Sequence, residues 1–301
     1  MPVFKLLTYL RDGRPRSGVA IGEHAYDAAE LLKGRDLVAP DTTLGLLEEW
    51  DKVLPLLDRV AADPPASLAR IPLAEVTLKA PILFPGAFFC AAANYYSHSR
   101  EMNPNRVVTR EGKQPYFFLK PARHTTIGPN ELIRLPSVSR KVDWEIELAA
   151  VIGRRATGLT IENALSCVAG YTIVNDLSAR DLAKRDDWQF VSDWFGQKVF
   201  ETSMPMGPWI VPAAAIPDPQ NVTLKLWVNG ELQQNAMTSD MLFSLAEQIE
   251  YVSRRLELRP GDVIATGTPA GVGAPRGLFL KSNDIVRMEI GGIGAMENRV
   301  A

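Results

Sequence analysis

The segment DWEIELAAVI, residues 143–152, alternates polar and apolar side chains and then becomes continuously apolar. This pattern predicts a half-buried β-strand. Side chains at positions i and i+2 of a strand point to the same face, so Glu145 and Glu147 should converge. Two close carboxylates repel each other unless a cation or a proton held at raised pKa lies between them, and oxygen clusters favour hard divalent ions. The segment therefore predicts a metal site, and an exposed edge strand with two solvated acids is the alternative.

A third carboxylate ends the next predicted strand, VAGYTIVND at residues 168–176. Functional groups often project from the end of a rigid strand, and Asp176 would complete three oxygen ligands for an ion such as Mg²⁺. Aspartate is also a preferred helix N-cap, so Asp176 could instead cap the segment that follows it. Both interpretations remain open at this point.

Length and composition indicate an ordinary globular protein. The chain has 301 residues, 33 Lys and Arg against 35 Asp and Glu, and a hydrophobic content of 46%, which suffices for a sizeable core and indicates no nucleic acid partner. The N-terminus does not resemble a secretory signal, and no apolar run is long enough to span a membrane. These features predict a cytoplasmic protein without a membrane partner. Cys90 and Cys167 are predicted to be free, buried thiols.

The first part of the chain is predicted to form a small N-terminal α/β domain, residues 1–75. A hairpin turns at residues 12–13, and apolar residues at helical spacing predict helices over 28–33 and 43–60. A proline-bearing linker follows at 63–67, because proline cannot sustain a helix. Residues 76–301 are then the catalytic domain.

The second part is rich in predicted strands, which makes the fold class α+β. A strand over 222–228 meets Asn229-Gly230, a strong hairpin signal. An apolar stripe predicts a helix that starts at Ser239 or Asp240 and reaches Leu256. A further strand over 263–266 leads into a glycine-rich loop that lacks the Lys-Ser/Thr pair of a phosphate-binding Walker motif.

Two pairs of residues could carry proton transfer and charge stabilisation. His98 and Glu101 have i, i+3 spacing, so on a helical turn Glu101 could orient the imidazole, which could then take a proton from water. A solvated surface pair is the alternative. Arg180 and Lys198 could neutralise charge that develops on an oxygen during reaction, although most Lys and Arg side chains are solvated surface groups.

The order of these motifs, from about residue 80 to the end, resembles that of the fumarylacetoacetate hydrolase family. The motifs are Asn94-Tyr95 with His98 and Glu101, FLKP at 118–121, Glu145 with Glu147, ND at 175–176, SARD at 178–181, Lys198, MGP at 206–208, VNGE at 228–231, MLFS at 241–244 and TGTP at 266–269. The resemblance implies a mixed β-roll catalytic domain, a homodimer, and a Mg²⁺ or Mn²⁺ ion held by Glu145, Glu147 and Asp176. It also implies that residues 95–112 form a lid that closes over the substrate.

One position departs from the family pattern. Family hydrolases commonly carry a glutamine three residues beyond the arginine that matches Arg180, and this chain has Ala183 there. The loss of one oxyanion donor typically costs about 2.7 to 4 kcal/mol of transition-state stabilisation. Gln189 or Gln197 could replace it. The departure weakens a hydrolase interpretation.

The resulting hypothesis is a metal-dependent hydrolase that cleaves a carbon–carbon bond in acylpyruvate or fumarylpyruvate-type 2-oxo acids. A divalent ion would stabilise the enolate of the 2-oxo acid, and the His98–Glu101 dyad would move a proton or activate water. Lys120 and Thr268 would hold the substrate carboxylate, with Gln197 as a further binding residue. Lys198 and Arg180 would stabilise the tetrahedral oxyanion. The alternatives are an isomerase or decarboxylase of 2-hydroxymuconate-type dicarboxylates acting through the same enolate, and a catalytically silent metal-binding or ligand-binding scaffold.

Overall fold

The computed structural model describes residues 4–105 and 107–301 and confirms the predicted α+β class. The strands are β1 Phe4–Arg11, β2 Arg14–Ile21, β3 His24–Asp27, β4 Ile71–Pro72, β5 Leu78–Lys79, β6 Phe88–Ala91, β7 Phe117–Lys120, β8 Thr126–Ile127, β9 Val142–Asp143, β10 Ile146–Ile152, β11 Val168–Asn175, β12 Ser178–Ala179, β13 Met204–Pro212, β14 Thr223–Val228, β15 Glu231–Met237, β16 Val263–Ala265, β17 Ile285–Ile290 and β18 Gly294–Arg299. The α-helices are α1 Ala28–Leu31, α2 Thr43–Glu48, α3 Trp50–Ala62, α4 Tyr96–Met102, α5 Ala122–Thr125, α6 Trp194–Lys198 and α7 Leu245–Ser253. Short 3₁₀ turns cover Leu73–Glu75, Ala164–Cys167, Arg180–Leu182, Ala213–Ala215, Thr238–Asp240 and Ala274–Arg276.

Most strands belong to one large mixed sheet with the order β4-β3-β2-β1-β13-β11-β10-β16-β6-β7. Strand β5 pairs with β1, and β8 pairs with β13. Strand β10 lies inside this sheet, since it pairs antiparallel with β11 on one side and with β16 on the other. An interior strand is covered on both faces, which explains why the run from Leu148 to Ile152 is continuously apolar.

The two faces of β10 contact different parts of the protein. Ile146, Leu148 and Ile152 pack in a cluster with helix α7 and the smaller sheet β15-β14-β17-β18. Ala149 and Val151 pack on the opposite side with α3 and β1. Because side chains alternate along a strand, Glu147 points to the same face as Ala149 and Val151.

The smaller sheet confirms the hairpin predicted at Asn229-Gly230. Both turn residues have positive φ, 52° and 81°, as a tight two-residue hairpin turn requires. The predicted start of the neighbouring helix at Ser239 or Asp240 is wrong. Helix α7 begins at Leu245 because Ser244 and Glu247 form a capping box, while residues 238–240 form a separate 3₁₀ turn.

The N-terminal hairpin is confirmed, with β1 and β2 paired along their whole length. The helix predicted over 43–60 is divided into α2 and α3, because Glu49 leaves helical geometry between them, and the helix predicted over 28–33 ends at Leu31. The boundary at residue 75 stays a prediction. The first part of the chain nevertheless shares the large sheet with the rest, through the pairing of Leu6 with Ile210, and contributes Trp50 to a shared core.

Within residues 4–105 and 107–301, no helix has both the length and the hydropathy that crossing a bilayer requires. Cys90 and Cys167 are free and buried, as predicted.

Candidate metal centre

The three predicted acids converge, and Glu145, Glu147 and Asp176 are called the acid triplet below. One oxygen from each carboxylate lies within 4.8 Å of the others, and all three residues are at most 5% exposed. Glu147 lies in β10 and Asp176 directly follows β11, as predicted. Glu145 lies in the connection between β9 and β10, so its predicted place within the strand is wrong.

Backbone contacts explain why Glu145 still reaches the triplet. Its amide donates to Asn175 Oδ1 at 2.9 Å, and its carbonyl accepts from the Asp176 amide at 2.9 Å. Burial contradicts the alternative of an exposed edge strand. Asp176 caps no α-helix in the described chain, because strand β12 follows it at Ser178.

Three cations, the buried Lys198 and Lys120 and the half-buried Arg180, neutralise part of this negative charge. Lys198 Nζ contacts Glu145 Oε2 and Asp176 Oδ2, each at 2.7 Å. Lys120 Nζ lies 2.6 Å from Asp176 Oδ1. Arg180 binds Glu145 Oε1 at 2.7 Å through one guanidinium nitrogen. The structure therefore brings together all three acids and three of the basic residues that the sequence selected.

Burial and these neighbours shift the pKa values in opposite directions. Burial opposes ionisation of Glu145, but Lys198 and Arg180 lower the pKa of its carboxyl group to about 2. Burial raises the pKa of Glu147 well above its usual value, and Asp176 and Glu145 raise it further. Burial also opposes the charge on Lys198, yet Asp176 and Glu145 raise the pKa of its ammonium group. Glu147 is thus the acid whose charge is least compensated.

The donor set fits a hard divalent cation. At this site, Asp143 and the acid triplet supply four buried carboxylates, and the buried Lys120 and Lys198 together with the half-buried Arg180 supply three cations. Glu147 pairs with none of these cations and accepts one hydrogen bond, at 2.7 Å, from the Gly267 amide. A divalent ion bound by three carboxylate oxygens would supply the missing positive charge.

His98 and Glu101 lie on helix α4, which confirms their predicted placement on one helical turn. His98 is 7% exposed, so it is not a solvated surface residue, and it lines a cavity of about 380 Å³. Its Nδ1 lies 3.6 Å from Glu101 Oε2, which is longer than a hydrogen bond. Both Glu101 carboxylate oxygens instead accept from the Gly271 amide, at 3.0 and 3.1 Å. The closing motion predicted for residues 95–112 stays a prediction.

Gly271 offers a test of how this loop positions Glu101. Its φ is +104°, and a Cβ atom there would lie 2.1 Å from the Gln233 carbonyl oxygen. We expect Gly271→Ala to displace the amide that holds Glu101. If Glu101 takes part in catalysis, kcat/KM of the catalysed reaction should fall about tenfold, because small displacements of positioning groups raise the activation free energy. Steady-state kinetics would measure this, with Gly277→Ala as the control for positive φ in open space. Equal effects of both substitutions would contradict the positioning role.

The residues predicted to bind substrate are engaged within the protein. Thr268 donates its hydroxyl proton to the Ile146 carbonyl at 2.8 Å. Lys120 donates to the Leu177 and Ser203 carbonyls, at 3.1 and 2.7 Å, besides its ion pair. Binding of a substrate carboxylate would require either group to leave these partners. Gln197 is half-buried on α6, beside Lys198.

Sequence reasoning did not select Asp143 as a site residue. Its carboxylate is fully buried and accepts from the Trp144, Gly273 and Ala274 amides and from Arg180 Nε. Burial raises the pKa of Asp143, although Arg180 opposes this. Asp143 therefore fixes Arg180 against the acid triplet. The signal in the sequence was its place two residues before Glu145, which alone does not distinguish it from a turn residue.

Gln234 and Asn94 were also not assigned a positioning role. Gln234 is fully buried, accepts from the Ile146 amide and donates to Thr268 Oγ1. Asn94 joins the start of α4 to the core by donating to the Phe243 and Thr266 carbonyls. Both contacts connect segments far apart in sequence, so no local pattern predicts them.

Ala183 stands where family hydrolases commonly carry a glutamine. It directly follows the 3₁₀ turn Arg180–Leu182 and offers no side-chain donor. Gln189, one of the two possible substitutes, lies in an exposed segment over residues 184–192. Gln197 is therefore the better placed of the two.

Comparisons with known proteins identify relatives along most of the chain. Residues 87–301 match the sequence profile described as Fumarylacetoacetate (FAA) hydrolase C-terminal. The mitochondrial oxaloacetate tautomerase FAHD2B of Bos taurus is 39% identical over 87% of this chain and 80% of its own. The crystal structure of maleylpyruvate hydrolase from Sphingobium sp. SYK-6, in complex with manganese(II) and pyruvate, has a TM-score of 0.78 and 31% identity, covering 99% and 98% of the two chains. The 2-hydroxyhepta-2,4-diene-1,7-dioate isomerase of Mycobacterium marinum has a TM-score of 0.74 and 32% identity, covering 99% and 98%.

These relatives correct one prediction and confirm another. The predicted cytoplasmic location is contradicted, because the names of the similar tautomerases from Bos taurus, Rattus norvegicus and Homo sapiens place those proteins in mitochondria. The resemblance inferred from the order of the motifs is confirmed. The chain belongs to the fumarylacetoacetate hydrolase family.

Proposed function

We propose that this protein is a metal-dependent tautomerase that interconverts the keto and enol forms of a 2-oxo dicarboxylic acid of the oxaloacetate class. The observation that carries the proposal is the buried acid triplet, whose three carboxylates make a ligand set for a divalent ion. His98 lines a cavity large enough for a small substrate. The relatives named oxaloacetate tautomerase, 37% to 39% identical, support the substrate class.

Enolisation moves a proton between a carbon and an oxygen and leaves negative charge on that oxygen in between. When bound by the acid triplet, a divalent ion supplies a Lewis acid that stabilises such charge, and Mg²⁺ and Mn²⁺ suit its oxygen ligands. His98 is the group that would move the proton, because it lines the cavity and imidazole exchanges protons near neutral pH. Glu101, 3.6 Å from Nδ1, would hold the ring once the contact tightens around substrate.

Lys198 and Arg180 would hold the remaining negative charge of the site. Lys198 is buried, Arg180 is half-buried, and both contact Glu145, so their positive charges act where little water screens them. A 2-oxo acid is the proposed small-molecule partner. The homodimer stays a prediction.

Carbon–carbon bond hydrolysis of an acylpyruvate or fumarylpyruvate-type 2-oxo acid is the second candidate. The similarity to the maleylpyruvate hydrolase favours it. Hydrolysis requires an activated water and a donor for the tetrahedral oxyanion, whereas tautomerisation requires neither. This chain has Ala183 where family hydrolases commonly carry such a donor. We therefore rank tautomerisation above hydrolysis as the candidate function.

We expect tautomerisation to depend on a divalent ion. The ultraviolet absorbance of enol-oxaloacetate would follow the reaction in Mg²⁺ or Mn²⁺, and excess EDTA should lower the rate at least about a hundredfold, since a Lewis acid contributes several kcal/mol. Adding either ion in excess should restore it, and EDTA preloaded with Mg²⁺ is the control. Full activity in EDTA would reject the proposal. Faster cleavage of acylpyruvates than tautomerisation of oxaloacetate would favour the second candidate.

A further inference from the structure

The two buried lysines that contact Asp176 have different surroundings. Lys198 contacts one oxygen of Glu145 and one oxygen of Asp176. The other Asp176 oxygen contacts Lys120, and the other Glu145 oxygen accepts from Arg180 and Ser178. Every carboxylate oxygen of Glu145 and Asp176 therefore contacts a cationic side chain of the described chain, although Asp176 Oδ1 accepts no hydrogen bond there. A metal ion bound to the whole acid triplet must share or replace at least one of these partners.

Lys120 is fixed by its surroundings. Its side chain is fully buried at the end of β7, the last strand in the order of the large sheet, where Lys120 pairs with Phe88 of β6. Besides the ion pair, its ammonium group donates to the Leu177 and Ser203 carbonyls. These two hydrogen bonds and the ion pair hold the ammonium group, and leaving them would strand two buried carbonyl groups.

Arg180 is fixed in the same way. Its Nε donates to Asp143 Oδ2 at 2.9 Å, while a second nitrogen of the same guanidinium group donates to Glu145. Asp143 in turn accepts from three backbone amides, which hold it in place. Releasing Arg180 would therefore leave the buried Asp143 carboxylate without its cation.

Lys198 differs from the other two cations because both of its short contacts are with members of the acid triplet. Its nearest contacts are the two carboxylates, its contact with the Asp176 carbonyl is 3.4 Å long, and its Nζ lies 5.2 Å from the centre of the Phe118 ring. It is the last residue of α6, a helix of five residues that includes Phe195, which is 72% exposed. The segment before α6 is exposed as well. Trp194, at the opposite end of α6, stacks on Phe118, but a short element still opens locally at a lower free-energy cost than the core strands of a sheet.

We propose that Lys198 is an exchangeable internal counter-ion, which neutralises Glu145 and Asp176 in the metal-free protein and leaves them when a divalent ion binds. Lys120 is a positioning residue that keeps its contact with Asp176 in both states. The exchange keeps the buried charge nearly balanced, so the acid triplet stays assembled without the ion. It also frees an ammonium group beside the acid triplet when the ion binds. This inference rests on the metal binding that the proposed function requires.

Chemical labelling of the unmodified protein tests the exchange without using activity. The protein would be reductively methylated with formaldehyde and dimethylamine-borane, once in EDTA and once in Mn²⁺, and each lysine quantified by peptide mass spectrometry. We expect methylation of Lys198 to increase about tenfold or more in Mn²⁺, because local opening no longer limits the reaction. Lys120 should stay unmodified in both conditions, and the exposed Lys281 should react equally in both.

Calorimetric titration of Mn²⁺ into the same protein distinguishes failure of the lysine exchange from failure of the proposed function. Ion binding with no change in Lys198 methylation would overturn the exchange and leave the proposed function intact. Equal methylation of Lys120 and Lys198 in Mn²⁺ would also overturn it, because the two lysines would not differ. If no Mn²⁺ binds, both the proposed function and the exchange are rejected.

Discussion

Glu145→Ala should lower kcat/KM for tautomerisation about a thousandfold or more, on the order of 4 kcal/mol of transition-state stabilisation. The substitution removes one of three candidate metal ligands and also leaves Lys198 and Arg180 with one carboxylate partner fewer. Excess positive charge would then face the remaining acids, which further disfavours a divalent ion. Kinetics at saturating Mg²⁺ or Mn²⁺, together with calorimetric titration of the ion, would measure both effects.

Two further variants make the Glu145 result specific. Glu145→Gln keeps the size of the side chain but removes its charge, and we expect the same direction of change with a smaller loss of folding stability. Glu162→Ala replaces an exposed glutamate and should leave kinetics and ion binding as they are. If Glu145→Ala retained metal-dependent activity within a factor of about ten, its assignment as a ligand would be wrong, since lost Lewis-acid stabilisation amounts to several kcal/mol.

Asp143→Ala should lower the free energy of unfolding by about 3 to 5 kcal/mol, the range for breaking a buried ion pair. The substitution deprives Arg180 of one partner and leaves the Trp144, Gly273 and Ala274 amides without their acceptor. Urea denaturation followed by circular dichroism would measure the loss. Asp143→Asn should lose less, because its amide oxygen can still accept from part of this set.

The control for this measurement is Asp58→Ala, which replaces an exposed aspartate on α3. Its effect should stay within about 0.5 kcal/mol, as is usual for surface substitutions. An Asp143→Ala protein as stable as the control would show that Asp143 does not hold Arg180 in place. A stable protein with reduced activity would instead assign Asp143 to catalysis alone.

Local patterns predicted the elements on which the site is built. Period-two alternation located β10, and a β-branched run that ends in Asn175-Asp176 located β11. The i, i+3 spacing placed His98 and Glu101 on one helical turn. The order of the motifs identified the family, and the match over residues 87–301 confirms it. The predictions of β10, β11 and the helical turn succeeded because each depends on residues close together in the chain.

Local patterns were less reliable where tertiary contacts determine where a strand or helix begins. Glu145 alternates with Glu147 as a strand residue would, yet it leaves the strand because Asn175 and Asp176 bind its backbone. The apolar stripe after residue 239 suggested one helix, but the Ser244 capping box starts α7 later. The predicted role of Thr268 stays open, since its hydroxyl proton is already bound by a main-chain carbonyl.

By itself, the sequence determined which residue types carry the chemistry and which strands and turns present them, because side-chain periodicity and turn preferences act over a few residues. Only the tertiary structure decided which charges meet. Lys120, Glu145, Asp176 and Lys198 belong to four separate segments that the large sheet and α6 bring within 3 Å of one another in pairs. The interaction energy between buried charges depends on such distances and on the exclusion of water, and local spacing in the sequence encodes neither. For the same reason the pairing of Asp143 with Arg180 became visible only in the folded chain.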